Sequence, residues 1–304
     1  MIVQTQAVGR IVVGTDGSQR SEKAVTWAAE RAVARKLPLL VLFVVPEPSS
    51  AALNMVPDTT DQERQRREEA KLTLNAVVDQ VRAAHPDLSV NGVVVEGNPA
   101  FVLAEWSKDA ELVVVGARGQ TAPLSVRLLG GVSDAVVAHG RGPIAIVSDD
   151  AVDNPGGPVV LGVDDSAEAR AAARLAFEAA EVRGVPVVAI HAYEHGPRES
   201  PSDSAVWTQA VASFKEDLRM SVEDILAEVR DAHPHVPVEI RAVRARPQDA
   251  LVEASQEAGL VVVGSRGRGG FAGLLLGSTS KHILREAHSP VIVTRGQGAA
   301  GEEL

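Results

Sequence analysis

The sequence predicts an α/β protein of two tandem domains, each a doubly wound, five-stranded parallel sheet with helices on both faces. Three observations carry this. The 304-residue chain repeats itself with an offset of 148 residues. Inside each repeat, short runs of Val, Leu and Ile alternate with longer amphipathic stretches. The composition, 45% hydrophobic with only 3% aromatic, suits a globular chain whose core is aliphatic.

The repeat is read position by position. Gly14-Thr15-Asp16-Gly17-Ser18 returns as Gly162-Val163-Asp164-Asp165-Ser166, Pro38 as Pro186, His85-Pro86 as His233-Pro234, and Val113-Val114-Val115-Gly116 as Val261-Val262-Val263-Gly264. Beyond a glycine-rich stretch the offset drops to 147, with Leu128-Leu129-Gly130 against Leu275-Leu276-Gly277. A period of this size is a whole domain and far longer than a solenoid unit, and a chain of this length accommodates about two domains. The boundaries read as domain 1 over 8–148, a polar Pro/Gly linker over 149–157, domain 2 over 158–295 and a tail over 296–304.

In the first repeat the strand-sized runs are Arg10 to Gly14, Leu39 to Val45, Ser89 to Glu96, Leu112 to Gly116 and Ile144 to Ser148. Helical patterns fall between them, over Ser21 to Arg35, Asp61 to Ala84, Pro99 to Asp109 and Gly130 to His139. Continuous apolar strands separated by helices are the mark of parallel βαβ crossovers, with both sheet faces covered. Ligands of such sheets sit beyond the carboxyl ends of the strands, at the topological switch point. That is where chemistry is sought.

Several classes are excluded or disfavoured. There are no cysteines, so disulfides, thiolate metal sites and thiol nucleophiles are absent. The net charge of -10 disfavours nucleic acid and anionic membranes as partners. No apolar run approaches the roughly 20 residues of a membrane span, and no signal-peptide pattern opens the chain, so a soluble, cytoplasmic protein is expected.

The segment after the fourth strand carries the strongest signal. Gly264, Gly267 and then Gly277-Ser278 follow a Gly-x2-Gly-x9-Gly-Ser spacing that opens a helix. Glycine backbone N–H groups and a helix N-terminus together make an anion cradle. Capping of the helix is the alternative role of Ser278. There is no Walker Gly-Lys-Ser/Thr ending, and the dinucleotide-like Gly267-x-Gly269-x-x-Ala272 follows the fourth strand instead of the first. One Arg-Gly segment in an acidic chain does not make an RNA-binding tract.

With these motifs the sequence resembles the universal stress proteins of the ATP-binding type, in a tandem form covering about Val8 to Arg295. The resemblance implies an adenine nucleotide alpha hydrolase-like, Rossmann-like sheet of order 3-2-1-4-5 in each half. It also implies ATP as ligand, with Mg2+ as its accompanying ion. Mapped onto this chain, Asp16 and Asp164 lie by the adenosine, and Val44 and Ala192 offer backbone to adenine. The phosphate cradle maps to Gly116, Gly119, Gly130 and Gly131 in the first half, and to Gly264, Gly267, Gly277 and Ser278 in the second. A turn or cap role is the competing reading of both aspartates. The first half departs from the pattern: Gly119 and Gly130 are separated by ten residues, and Gly131 replaces the serine, leaving Ser133 as the nearest hydroxyl. Loss of one neutral hydrogen bond costs about 0.5–1.5 kcal/mol, so the second site is expected to be the tighter.

Nothing reads as a catalytic apparatus or a metal site. His-x-x-x-His, His-Glu-x-x-His and the adenylyl-transfer His-x-Gly-His are all absent. His85 and His233 suit helix ends, and His191 suits a satisfied core position. The expectation is a nucleotide-dependent regulator of stress or growth that is not an enzyme, incidental slow ATP hydrolysis aside. It would act through an unidentified protein partner or as a homo-oligomer. A scaffold with degenerate or differently occupied adenine-nucleotide sites is the alternative.

Overall fold

The structure, a computed structural model, describes residues 6–47, 59–119, 129–152, 154–197, 204–267 and 275–295. The glycine-loop segments 120–128 and 268–274 and the tail 296–304 lie outside the described residues. The chain divides into two compact units, Met1–Asp149 and Asp150–Leu304.

The first unit runs β1 (Ile11–Thr15), α1 (Gln19–Arg35), β2 (Leu39–Val45), α2 (Thr59–Ala84), β3 (Val90–Glu96), α3 (Pro99–Trp106), β4 (Leu112–Gly116), α4 (Gly131–His139) and β5 (Ile144–Val147). All neighbouring strands are parallel, in the order β3-β2-β1-β4-β5. The second unit repeats this with β6 (Val159–Gly162), α5 (Ala167–Arg183), β7 (Val187–Ala192), α6 (Ala205–Ala232), β8 (Val238–Val243), α7 (Pro247–Ala254), β9 (Leu260–Gly264), α8 (Ser278–Glu286) and β10 (Val291–Thr294). Its order is β8-β7-β6-β9-β10, again parallel. The doubly wound 3-2-1-4-5 sheet that the sequence implies is present in both halves.

Burial explains the strand composition. Ile11, Val12, Val13, Leu39 to Leu42, Val113 and Val114 are fully buried, because helices cover both faces of the inner strands. The third strand of each unit lies at a sheet edge and alternates more, with Asn91, Glu239 and Arg241 exposed. Alanines Ala24, Ala28 and Ala32 of α1, and Ala172, Ala176 and Ala180 of α5, are all 0% exposed. Their small side chains let these helices lie close against the sheet.

Element ends differ slightly from the sequence reading, for local reasons. Helix α1 starts at Gln19 because Ser18 caps it, its Oγ accepting from Ser21 N at 3.2 Å. Helix α3 stops at Trp106, not Asp109, and Ser107 there turns its Oγ onto the Ala104 carbonyl at 2.6 Å. The helix preceding the second strand ends in left-handed backbone in both repeats, at Lys36 (φ 54) and at Gly184 (φ 66). Only the second copy uses the residue that adopts this conformation without strain.

Candidate functional site

The switch point of each sheet lies between its first and fourth strands, where one crossover leaves to the left and the next to the right. In the first unit Asp16 follows β1 directly. Its Oδ1 accepts from Ser18 N at 3.0 Å and Ser18 Oγ at 2.6 Å, forming the turn that leads into α1. Asp164 repeats this, accepting from Ser166 N at 3.1 Å and from Ser166 Oγ. The turn role of both aspartates is therefore real. It occupies Oδ1, while Oδ2 faces the glycine segment across the crevice.

That facing is visible in the glycines themselves. A Cβ placed on Gly119 would come within 3.1 Å of Asp16 Oδ2, and one on Gly267 would collide with Asp164 Oδ2. The first and fourth strands thus deliver an acid and a glycine to opposite lips of one crevice, twice. Gly116 and Gly264 close the fourth strand where the first helical turn crosses it. A Cβ on Gly264 would press on Glu168 Cβ at 2.7 Å.

The glycine segment is tied at its base. Gly130 N donates to Ala117 O, and Gly277 N to Ser265 O, each at 2.8 Å. Each of these glycines is also the N-cap of the following helix, without a side-chain cap. A Cβ on Gly130 would stand in van der Waals contact, 3.4 Å from Arg118 Cα, and one on Gly277 slightly closer, 3.3 Å from Ser265 O. The first i→i−4 bonds of α4 and α8 are made by Asp134 N to Gly130 O and Lys281 N to Gly277 O. By helix geometry the preceding N–H groups point out of the helix start, which is suited to an anion.

Gly131 and Ser278 are the first residues of their helices, and both are exposed. Gly277 occupies the cap, so capping is not the role of Ser278. Ser133, the hydroxyl left in the first half, is 4% exposed and donates to the Gly116 carbonyl at 2.7 Å. Its repeat Ser280 does the same to Gly264 O at 2.8 Å. These serines fasten the helix to the strand end and do not substitute for Ser278.

Val44 and Ala192 lie near the ends of the second strands, paired with Val95 and Val243. Backbone groups of successive residues in a parallel strand address opposite neighbours. Val45 O accepts from Gly97 N and Tyr193 N donates to Val243 O, both on the third-strand side. Val44 and Ala192 therefore turn their backbone the other way, past the ends of β1 and β6, toward the crevice. His191, beside Ala192, is buried with Nδ1 3.0 Å from Val163 O.

Charged neighbours escaped the sequence reading. In the first unit Arg20 Nη1 donates to Gly119 O at 2.9 Å. Arg20 Nε and Arg118 Nε lie 3.5 and 3.8 Å from Asp149 Oδ2, and Lys23 Nζ donates to the Asp149 carbonyl. In the second unit the positions of Arg20 and Lys23 hold Glu168 and Ala171, and Glu168 Oε1 accepts from Arg266 Nη2 at 2.9 Å. The 148-residue offset lined up this change of sign, but only the fold puts it beside the glycine segment. Two surface hollows of about 470 Å3 lie elsewhere, against α2–β3 and around the end of α6, and no candidate residue lines either. Among the described residues no group of three or more His, Asp or Glu side chains could hold a metal ion.

An acid just past the first strand, facing a glycine segment rooted on the fourth, defines a class: doubly wound α/β proteins with a crevice at the switch point. Comparison with known proteins makes the class particular. The model of the Universal stress protein family matches residues 8–148 and again 157–295, and the chain belongs to that family as a tandem member. A universal stress protein of Mycobacterium tuberculosis is 38% identical over 293 residues, covering 94% of this chain and 96% of that protein. One of Mycobacterium bovis is 36% identical over 302 residues, covering 94% of each. The crystal structure of a universal stress protein from Archaeoglobus fulgidus matches in fold with a TM-score of 0.69 at 23% identity, covering 94% of this chain and 98% of that one.

Proposed function

We propose that the chain is an ATP-binding regulator of stress or growth, with one nucleotide site in each unit. The observation that carries this reading is the opposition of Asp16 to Gly119 and of Asp164 to Gly267, where a side chain on either glycine would intrude. The residues fit the ligand. The Oδ2 edges of Asp16 and Asp164 face the glycine segments, where ribose hydroxyls could donate, and Val44 and Ala192 present backbone for an adenine edge. The glycine segment and the N-terminus of α4 or α8 offer N–H groups to phosphates, which lets an acidic chain hold a polyanion. Mg2+ would travel with the phosphates and draw at most one carboxylate from each crevice, in keeping with its habit of retaining waters.

The proposed role is binding, without turnover beyond incidental hydrolysis; the described crevice residues are glycines, turn-forming aspartates and helix-start N–H groups, which suit holding and orienting a nucleotide. Occupancy would set the surface seen by a protein partner or by a second copy, and nucleic acid is not among the proposed partners. A cytoplasmic setting goes with this reading. Among the described residues no helix is long and apolar enough to cross a membrane.

The test is mass spectrometry of the ligand released by heating the purified protein, followed by calorimetric titration of the emptied protein with ATP. Release of ATP and binding near two equivalents per chain is the expected result. Release of another adenine nucleotide, or absence of ATP binding, would instead favour a scaffold with differently occupied or degenerate sites.

A further inference from the structure

The residue that closes the first unit is gripped by the cations that border its glycine segment. Asp149 stands two positions past β5 and is the first residue between the two matched family segments. Its Oδ2 lies 3.5 Å from Arg20 Nε and 3.8 Å from Arg118 Nε, contacts longer than a hydrogen bond, and its Oδ1 is buried with no hydrogen-bond partner among the described residues. Its carbonyl takes the Lys23 ammonium. Arg20 is the shared member: the same guanidinium donates to the Gly119 carbonyl at 2.9 Å. One side chain thus touches both the cradle and the start of the linker.

The second unit lacks this wiring. Glu168 and Ala171 replace Arg20 and Lys23, and Arg266, the counterpart of Arg118, is engaged by Glu168 at 2.9 and 3.2 Å within its own unit. Other charges near the two cradles differ as well: Asp134 in α4 stands where α8 has Lys281, and Arg295 follows β10 where Ser148 follows β5. The overall charge of the two crevices therefore does not separate them. The connection to the linker does.

We propose that the N-terminal nucleotide site is coupled to the interdomain linker through Asp149, so that phosphates bound at Gly119 and the Asp149 carboxylate antagonise each other. This rests on the reading of the first crevice as a nucleotide site. The sign follows from electrostatics. Phosphate and carboxylate are like charges that draw on the same Arg20 guanidinium, and the carboxylate, lacking short hydrogen bonds, is the weaker claimant. Filling the cradle loosens the hold on residues 149–152, and by linkage, freeing Asp149 strengthens phosphate binding by the same factor. The ligand class is an anion of phosphate type, with the effect growing from AMP to ADP to ATP.

The experiment uses the full chain, and Asp149→Asn, which keeps the shape and removes the charge. Calorimetry with ATP, ADP and AMP reads affinity, and amide hydrogen exchange reads peptides covering residues 148–157 with and without nucleotide. The expected results are roughly fivefold tighter ATP at the N-terminal site of the variant, a smaller gain for AMP, and faster linker exchange on adding ATP to the wild type only. The C-terminal site, isolated by Gly119→Ala, should be indifferent to Asp149→Asn. Unchanged ATP affinity in Asp149→Asn, or linker exchange that ATP leaves unaltered or slows, overturns the coupling while leaving the nucleotide site standing. Failure of the N-terminal half to bind any of the three nucleotides overturns the site reading, and the coupling with it.

Discussion

The Oδ2 oxygen of Asp16 lies 3.1 Å from the point that a Cβ on Gly119 would occupy, although 103 positions of sequence separate the two residues. The same opposition between Asp164 and Gly267 is tighter still. Two neighbouring strands bring each pair together, and the difference in tightness gives a graded expectation.

Gly119→Ala asks its neighbour to give by a few tenths of an ångström, whereas Gly267→Ala forces Asp164 to move. Each substitution is expected to remove about one nucleotide equivalent in calorimetric titration. Only Gly267→Ala should also destabilise its unit, by about 1–3 kcal/mol as overpacking does, read as a lowered thermal transition. Unchanged stoichiometry in both variants would sink the mapping.

Asp16→Ala and Asp164→Ala remove the acceptor of the Ser18 and Ser166 turns but leave those serines capping α1 and α5. The stability cost is therefore modest, about 0.5–1.5 kcal/mol. Nucleotide affinity should fall at the altered site, while the far-ultraviolet circular dichroism spectrum is retained. Destabilisation with full affinity would show that the turn is the whole role of these residues.

Ser133→Ala and Ser278→Ala separate fastening from binding. Removing the buried Ser133 hydroxyl leaves the Gly116 carbonyl without its donor and should lower stability by about 1 kcal/mol. Ser278 is exposed at a helix start, so its loss should change stability by no more than about 0.5 kcal/mol. It should weaken phosphate binding in the second site only, bringing it nearer to the first. Comparing chemical denaturation with ATP titration for the two variants reads both effects.

Acid sensitivity has an identifiable surface contribution. A hydrogen bond from Arg219 holds Glu216 below its usual 4.5, and one from Arg241 does the same for Glu239. A carboxyl whose folded value is depressed contributes stability above its unfolded value and loses it as pH falls through the folded value. These pairs therefore leave stability flat between about pH 6 and 8 and add to its fall below about pH 4.5. Both are exposed, so the effect is small and salt-sensitive. Denaturation curves between pH 3 and 7 should show a shallower acid slope when Arg219 and Arg241 are both replaced by alanine.

The sheet and its repetition were legible because they are written in long-range regularities: aliphatic runs bounded by turn residues, returning at one offset. Gly264 and Gly277 were legible for a related reason, since a Cβ there would crowd Glu168 Cβ at 2.7 Å and Ser265 O at 3.3 Å, whereas Gly116 and Gly130 have ordinary room for one and were legible through the repeat. Helix starts were less so. Ser18 and Ser166 cap their helices two or three residues before the apolar pattern begins, and the periodicity does not register them. Ser133 misleads as a spare hydroxyl until its burial against Gly116 O is seen. Arg20, Arg118 and Asp149 were invisible for want of any spacing rule, because three separate elements bring them together and their types suit an ordinary solvated surface. The alternation of Glu168 with Arg20 is the trace they leave in sequence.

The position of Asp149 also governs how the molecule can be taken apart. The family match of the first half ends at Ser148, and a piece cut there would carry Arg20 and Arg118 without their carboxylate. Such a fragment would overstate the pull of its crevice on any phosphate. Cutting after Asp149, where the two compact units part, keeps the counter-ion, so the natural seam for dissection lies one residue downstream of the one that sequence similarity draws.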